Sequence, residues 1–188
     1  MRRRRADAER NREKLLEATS ALVKEGQSEL SLAAVAERAG VGIGTFNRHF
    51  HNRDALLAAL YRNEVERLEA AAATLAKELP PLEALKTWLD QYAALMMVKY
   101  GFADAMKSAM KSDAEIFTHS RSRLAGALSS LLEAAADAGL VRRDVQAEDI
   151  LIAVAAQVSA SLHGQGAEKR CERLLGLTID GLRYGAGT

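Results

Sequence analysis

Residues 31–50 read SLAAVAERAGVGIGTFNRHF, and the rest of the chain is best read outward from them. Ser31 is a residue type that caps helix N-termini, and Leu32, Val35, Ala36 and Ala39 follow it at helical spacing. Gly40 stops this short helix, and after Val41-Gly42 a second short helix is predicted through Thr45 to about His49. Val35, Ala36, Val41, Phe46 and Phe50 can form a small core that sets the angle between the two. Helices joined by about four residues including Gly can cross steeply, so that one stands across a DNA backbone and the other enters the major groove. Gly42 and Gly44 lack side chains, so the start of the second helix can lie close to a sugar-phosphate chain. Thr45, Asn47, Arg48 and His49 are left facing outward, and all four can hydrogen-bond.

On the N-terminal side, residues 8–25 place Leu15, Leu16, Thr19, Leu22 and Val23 on one face of a helix that Gly26 stops. On the C-terminal side Asn52 caps a long fourth helix from Arg53 toward Leu79, with Leu56, Leu57, Leu60, Tyr61, Val65 and Leu68 turned inward. Pro80-Pro81 ends it, because proline blocks continuation of a helix. A fifth helix then carries Leu82, Leu85, Leu89, Tyr92 and Met96 and stops at Gly101. Further helices are predicted over 102–111, from an Asp113 cap to Gly139, over 147–162 and over 168–183. There is no strand pattern, and the reading is an all-α chain of about nine helices: an N-terminal three-helix, helix-turn-helix domain and a C-terminal helical domain.

Composition agrees. Apolar residues make up 48% of the 188 and charged residues 27%, ordinary values for a globular chain. No run approaches the ~18 apolar residues that a membrane-spanning helix needs, so no membrane partner is expected. The run Arg2–Arg5 has no apolar stretch behind it, and is not a secretory signal. With a single cysteine, Cys171, no internal disulfide can form, which fits a cytoplasmic setting. Net charge is only +1, yet residues 1–14 hold seven basic groups against three acidic ones. A basic end of this kind suits local contact with a polyanion or is a solvated tail.

Residues 10–68 resemble the DNA-binding domain of TetR-family repressors. The likeness runs through NREKLLEATSALVKEG, LSLAAVAERAGVGIGTFNRHF and HNRDALLAAL. It implies a basic arm over 1–9, a DNA-binding domain over 10–68 with its motif at 31–50, and a ligand-binding and dimerisation domain over 69–188. PPLEALKTWLDQY, AAADAGLVRRDV and AEDILIAV resemble the SbtR-like branch of the same family. The resemblance implies a homodimer on double-stranded DNA with an inverted-repeat operator, released by a small-molecule effector. Residues implied at the DNA are Ser31, Gly42, Ile43, Thr45, Asn47, Arg48, His49 and Arg53. Of these, Ser31 and Arg53 are implied phosphate contacts. Arg53 matches the family's basic phosphate clamp, usually Lys, and one position departs from the pattern: Asn47 stands where Tyr is usual. Asn can bond a phosphate or take both adenine groups in the major groove.

Four of five methionines, Met96, Met97, Met106 and Met110, fall beside Trp88, Tyr92, Tyr100 and Phe102. Methionine is flexible and polarizable, so the cluster either packs a core or lines an adaptable apolar pocket, which the resemblance favours. The candidate effector residues are Trp88, Tyr92, Met96, Tyr100, Met106, Met110, Phe117, Leu124 and Leu128. Helix 147–162 is apolar nearly all round, and 168–183 adds a stripe. Burying both stripes suggests a partner subunit, with Val154, Val158, Cys171, Leu174, Leu175, Thr178 and Leu182 as the candidate interface. Burial within one subunit is the alternative. His49, His51 and Asp54 make a poor metal site, because zinc generally takes three or four protein ligands. No activated nucleophile, phosphate-binding loop or dinucleotide fingerprint is present, so no metal or cofactor is expected. A helical small-molecule enzyme without a DNA role, or a helical interaction module, are the competing classes.

Overall fold

The computed structural model describes residues 2–25, 30–104, 106–107, 115–162 and 166–184. Among these residues there are eight helices and no strand: α1 Arg2–Lys24, α2 Leu32–Arg38, α3 Ile43–His49, α4 Arg53–Glu78, α5 Pro81–Gly101, α6 Glu115–Asp137, α7 Ala147–Ser161 and α8 Ala167–Arg183. The all-α reading holds. The short helix expected over 102–111 is helical at 103, 104, 106 and 107, and the rest of it, with the Asp113 cap, lies outside the described residues.

Most boundaries follow local chemistry. Asn52 accepts the Ala55 backbone N–H at 2.8 Å and so starts α4. Pro81 occupies the first turn of α5, where its missing N–H costs nothing. Gly40 closes α2 with φ +64°, while its N–H and that of Val41 donate to Glu37 and Ala36 carbonyls. That left-handed cap satisfies two of the helix's last carbonyls and turns the chain into α3. α1, by contrast, starts at Arg2 rather than near residue 8. Apolar periodicity marks only its packed half, from Leu15 onward; the described side chains before Leu15 are exposed or half-buried. The Arg, Ala and Glu residues there are good helix formers, and they extend the helix without packing.

The chain separates into two compact units. One comprises Met1–Asn63 and Gly101–Ala114, the other Glu64–Tyr100 and Glu115–Thr188. The core of the first holds Leu15, Leu16, Val35, Phe46, Leu56 and Leu60, with Phe46 and Phe50 rings tilted 5.9 Å apart. Phe102 and Met106 are buried in this same unit, although sequence order attaches them to the C-terminal helices. The second unit packs around Trp88, Leu89, Leu128 and Leu131, with Val154, Val158, Leu175 and Ile179 from α7 and α8. Gln157 and Thr178 hydrogen-bond across those last two helices at 2.8 Å. The Arg142 backbone N–H donates to the Leu182 carbonyl at 2.8 Å and ties the turn before α7 to the end of α8.

Candidate functional site

In α2 and α3 the buried residues are Val35, Ala36 and Phe46, which leaves the rest of α3 to solvent. Gly42, Ile43, Gly44, Asn47 and Arg48 are exposed, and Thr45 and His49 are half-buried. Ile43 is the unusual member, since 51% of a large apolar residue faces solvent at the first position of a helix. A Cβ added at Gly42 or Gly44 would meet nothing within 4 Å, so neither glycine is required by its own chain. Space left open on the protein side is available to a partner.

Ser31 does two things. Its hydroxyl faces the Ala34 N–H at 3.5 Å as the N-cap of α2, and the residue stays exposed. Arg38 forms a two-armed pair with Glu25, at 2.6 and 2.8 Å, and so has its fork occupied. Arg53, at the first position of α4, is half-buried, and its guanidinium lies 5.4 Å from the centre of the Phe102 ring. This contact was not legible in the sequence, where the two positions are far apart. Arg12 of α1 similarly stands over Phe50 at 5.7 Å. The structure therefore gathers Gly42, Ile43, Asn47 and Arg48 on one exposed surface of a packed helix pair. No group of three or more His, Cys, Asp or Glu is arranged to hold a metal among the described residues.

The candidate effector residues divide. Trp88, Tyr92 and Met96 follow one another at four-residue spacing on α5 and are buried in the second unit, with Leu124 and Leu128 of α6. The Trp88 and Tyr92 rings stack at 5.9 Å and 9°. Both polar tips are satisfied: Trp88 Nε1 donates to the Leu68 carbonyl at 2.8 Å, and the Tyr92 hydroxyl to the Leu151 carbonyl at 3.1 Å. Tyr100 is half-buried, and Met106 belongs to the first unit. Met110 and the Phe117 side chain lie outside the described residues. A cavity of about 240 Å³ opens elsewhere in the second unit, beside Ser129, Glu133, Arg142, Arg143 and Gln146. Arg142 and Arg143 are paired there with Asp144 and Asp137. Toward the end of α5, burial and then Arg121 hold the Lys99 ammonium below the usual lysine range, and the ammonium lies 5.8 Å from the centre of the Tyr100 ring.

The candidate interface residues also divide, and this revises the expectation. Val154, Val158, Cys171, Leu175 and Leu182 are buried inside the single chain, while Leu174 and Thr178 are half-buried. Periodicity locates a buried stripe but does not say which chain buries it. The surface left uncovered on α7 and α8 carries Ile152, 49% exposed, and Leu177, 67% exposed, with Ala156, Gly176 and Gly181 exposed alongside.

The fold and this surface define an all-α regulatory chain with a helix-turn-helix in one unit and a second helical unit. Residues 15–60 match the family described as bacterial regulatory proteins, tetR family, and residues 80–184 match the transcriptional regulator SbtR-like, C-terminal domain. The chain belongs to the TetR family, with an SbtR-like C-terminal domain. Its fold is similar to that of a TetR transcriptional regulator from Streptomyces coelicolor, at 38% identity and TM-score 0.78, covering 92% of this chain and 98% of the other. It is also similar to a TetR regulatory protein from Mycobacterium vanbaalenii, at 31% identity and TM-score 0.65, covering 95% and 98%. Among curated proteins it is similar to the HTH-type transcriptional repressor KstR of Rhodococcus jostii, 36% identical over 102 residues. That match takes in 52% of this chain and 46% of the repressor, so the chain spans under half the length of this curated relative.

Proposed function

We propose that this chain is a cytoplasmic transcriptional repressor that binds an inverted-repeat operator as a homodimer and lets go when a small apolar or amphipathic molecule binds. The observation that carries this reading is the exposed face of α3, where Ile43, Asn47 and Arg48 surround glycines whose Cβ positions are empty. In a major groove, Asn47 can take adenine and Arg48 guanine, each by two hydrogen bonds, and Ile43 can meet a thymine methyl group. Ser31, Thr45, His49 and Arg53 are assigned to backbone or edge contacts around them. The names of the curated relatives support repression. The chain acts by binding and carries no reaction of its own.

Dimerisation is assigned to the uncovered face of α7 and α8, through Ile152, Leu174, Leu177, Thr178 and Gly181. The last four fall at spacings of three and four along α8 and so form one stripe. A two-fold pair of such faces presents two α3 helices, and these fit successive major grooves when about 34 Å apart.

The effector is assigned to the α5 stripe of Trp88, Tyr92 and Met96 with Leu124 and Leu128 of α6. Because these side chains are already packed, a ligand enters only by opening the core, which methionine tolerates better than a branched residue. α4 is one continuous helix with Arg53 at its start and the Leu68 carbonyl bound to Trp88, so disturbance of Trp88 bears directly on α4. A coupling of about 1–3 kcal/mol between the two sites is enough for several-fold to hundredfold release.

The test is fluorescence anisotropy of the full chain on DNA flanking its own gene, with salt varied. Nanomolar, salt-sensitive binding that an unrelated fragment does not compete is the expected result. No preference over unrelated DNA refutes the reading.

A further inference from the structure

We infer that the first half of α1 is a second DNA-contacting element: a basic helix that runs out from the core beside α3 and lays one cationic face on phosphates flanking the α3 site. The inference rests on the assignment of α3 to DNA and extends the protein's footprint beyond it. Leu15, Leu16, Thr19 and Leu22 form the buried stripe of α1. Followed toward the N-terminus at the same spacing of three and four, that stripe passes through Arg12, Ala8 and position 5. Ala8 and Arg12 are exposed, so the face that packs in the core becomes cationic and uncovered where the core ends. Arg12 also shows what this face lies next to. Its guanidinium carbon is 5.7 Å from the centre of the Phe50 ring, and Phe50 is the C-cap of α3. All of these residues lie in one compact unit.

The charge of this segment selects its partner. Residues 2–14 hold seven basic residues against three acidic ones, and Arg2–Arg5 make up a first turn with no acidic residue. Like charges within one turn repel, and they stand at the positive end of the helix dipole, where acids are favoured. Such an array costs the isolated helix stability, and a polyanion relieves both terms. Duplex DNA, already held by α3 in this reading, is the polyanion within reach. Positions 5 and 12 are about 10 Å apart along the axis at 1.5 Å per residue, or about three phosphate steps of one strand. A helix therefore offers cations at fixed spacing to a strand, with less left to order than a flexible tail has.

The experiment reads salt dependence by anisotropy, with the full chain on the DNA flanking its own gene and thermal melts as a check on folding. Arg5→Gln should weaken binding and reduce the log–log salt slope by about 0.9 per protomer, the value of one phosphate contact. Arg3 is nine residues from Arg12 and so falls on the opposite side of the helix, and Arg3→Gln should move the slope much less. Ala8→Pro keeps every charge but breaks the helix between position 5 and the core, and it should lose as much as Arg5→Gln. Equal effects from Arg3→Gln and Arg5→Gln, or parental binding by Ala8→Pro, mean that the arginines act as a tail, and either result overturns the inference. Parental slopes in all three variants overturn it as well, and leave the basic segment to an acidic protein or a membrane. If Ala8→Pro lowers the melting temperature, the comparison of Arg3 with Arg5 decides alone. A parent chain with no preference for this DNA overturns the repressor reading itself, a separate failure with its own signature.

Discussion

Replacing Leu177 with glutamate should convert a dimer into a folded monomer, whereas the same change at Leu182 should unfold the chain. Leu177 is 67% exposed in the single chain and Leu182 only 4%, though they lie five residues apart on α8. Fully burying a leucine contributes about 1.5–3 kcal/mol, so covering the exposed two-thirds of Leu177 contributes roughly 1–2 kcal/mol. Two-fold symmetry counts the residue twice, giving about 2–4 kcal/mol of dimer stability, or roughly thirtyfold to nearly a thousandfold in dissociation constant. Glutamate adds to this loss, because its charge would be desolvated without a partner. Leu182 packs inside its own protomer beside the Arg142–Leu182 backbone hydrogen bond, and a carboxylate there has no wet route out. Sedimentation across nanomolar to micromolar concentrations reads the first effect, and far-ultraviolet dichroism with a thermal melt reads the second. A Leu177→Glu chain that sediments as the parent dimer refutes the assignment of this face. So does a Leu182→Glu chain that is monomeric with a parental melting temperature, since that would put the interface on the stripe now described as core.

Three other outcomes are expected. Gly44→Ala should stabilise the fold by about 0.5–1 kcal/mol, because a helical position with open space gains from alanine. The same change should weaken operator binding, and undiminished affinity would show that DNA does not approach this backbone. Alanine at Asn47 and at Arg48 should each change the consensus selected from random DNA, at about 1–3 kcal/mol per lost two-bond contact; identical consensus sequences exclude direct readout by these side chains. Burial, aided by Asp90 and Glu172, pushes the Cys171 thiol up, so alkylation of the folded chain at pH 8 should be slow and should accelerate on unfolding. With the folded pKa above the unfolded one, its stabilising contribution is complete below the ordinary thiol range and is lost as pH rises through the folded value. Rapid labelling at pH 8 without unfolding contradicts that burial.

Much of this protein was legible in its residues because the deciding interactions are local. Ser31 and Asn52 as caps, Gly40 as a left-handed stop and Pro81 at a helix start depend on neighbours within a few positions, so helix order and the 31–50 motif can be read from the chain alone. The outward set on α3 follows from the same periodicity, once Val35, Ala36 and Phe46 are turned inward. The first half of α1 was not legible, because an unpacked polar helix leaves no apolar period. Nor was the difference between Leu177 and Leu182, since a period of 3.6 says that a stripe is buried but not by which chain. The neighbourhood of Arg53 and Phe102, and the hydrogen bonds that satisfy Trp88 and Tyr92, are contacts between residues far apart in sequence. Such contacts exist only when the chain closes on itself, and there the tertiary structure alone decided which aromatic residues are core, which ring Arg53 lies near and which apolar residues of α7 and α8 stay exposed.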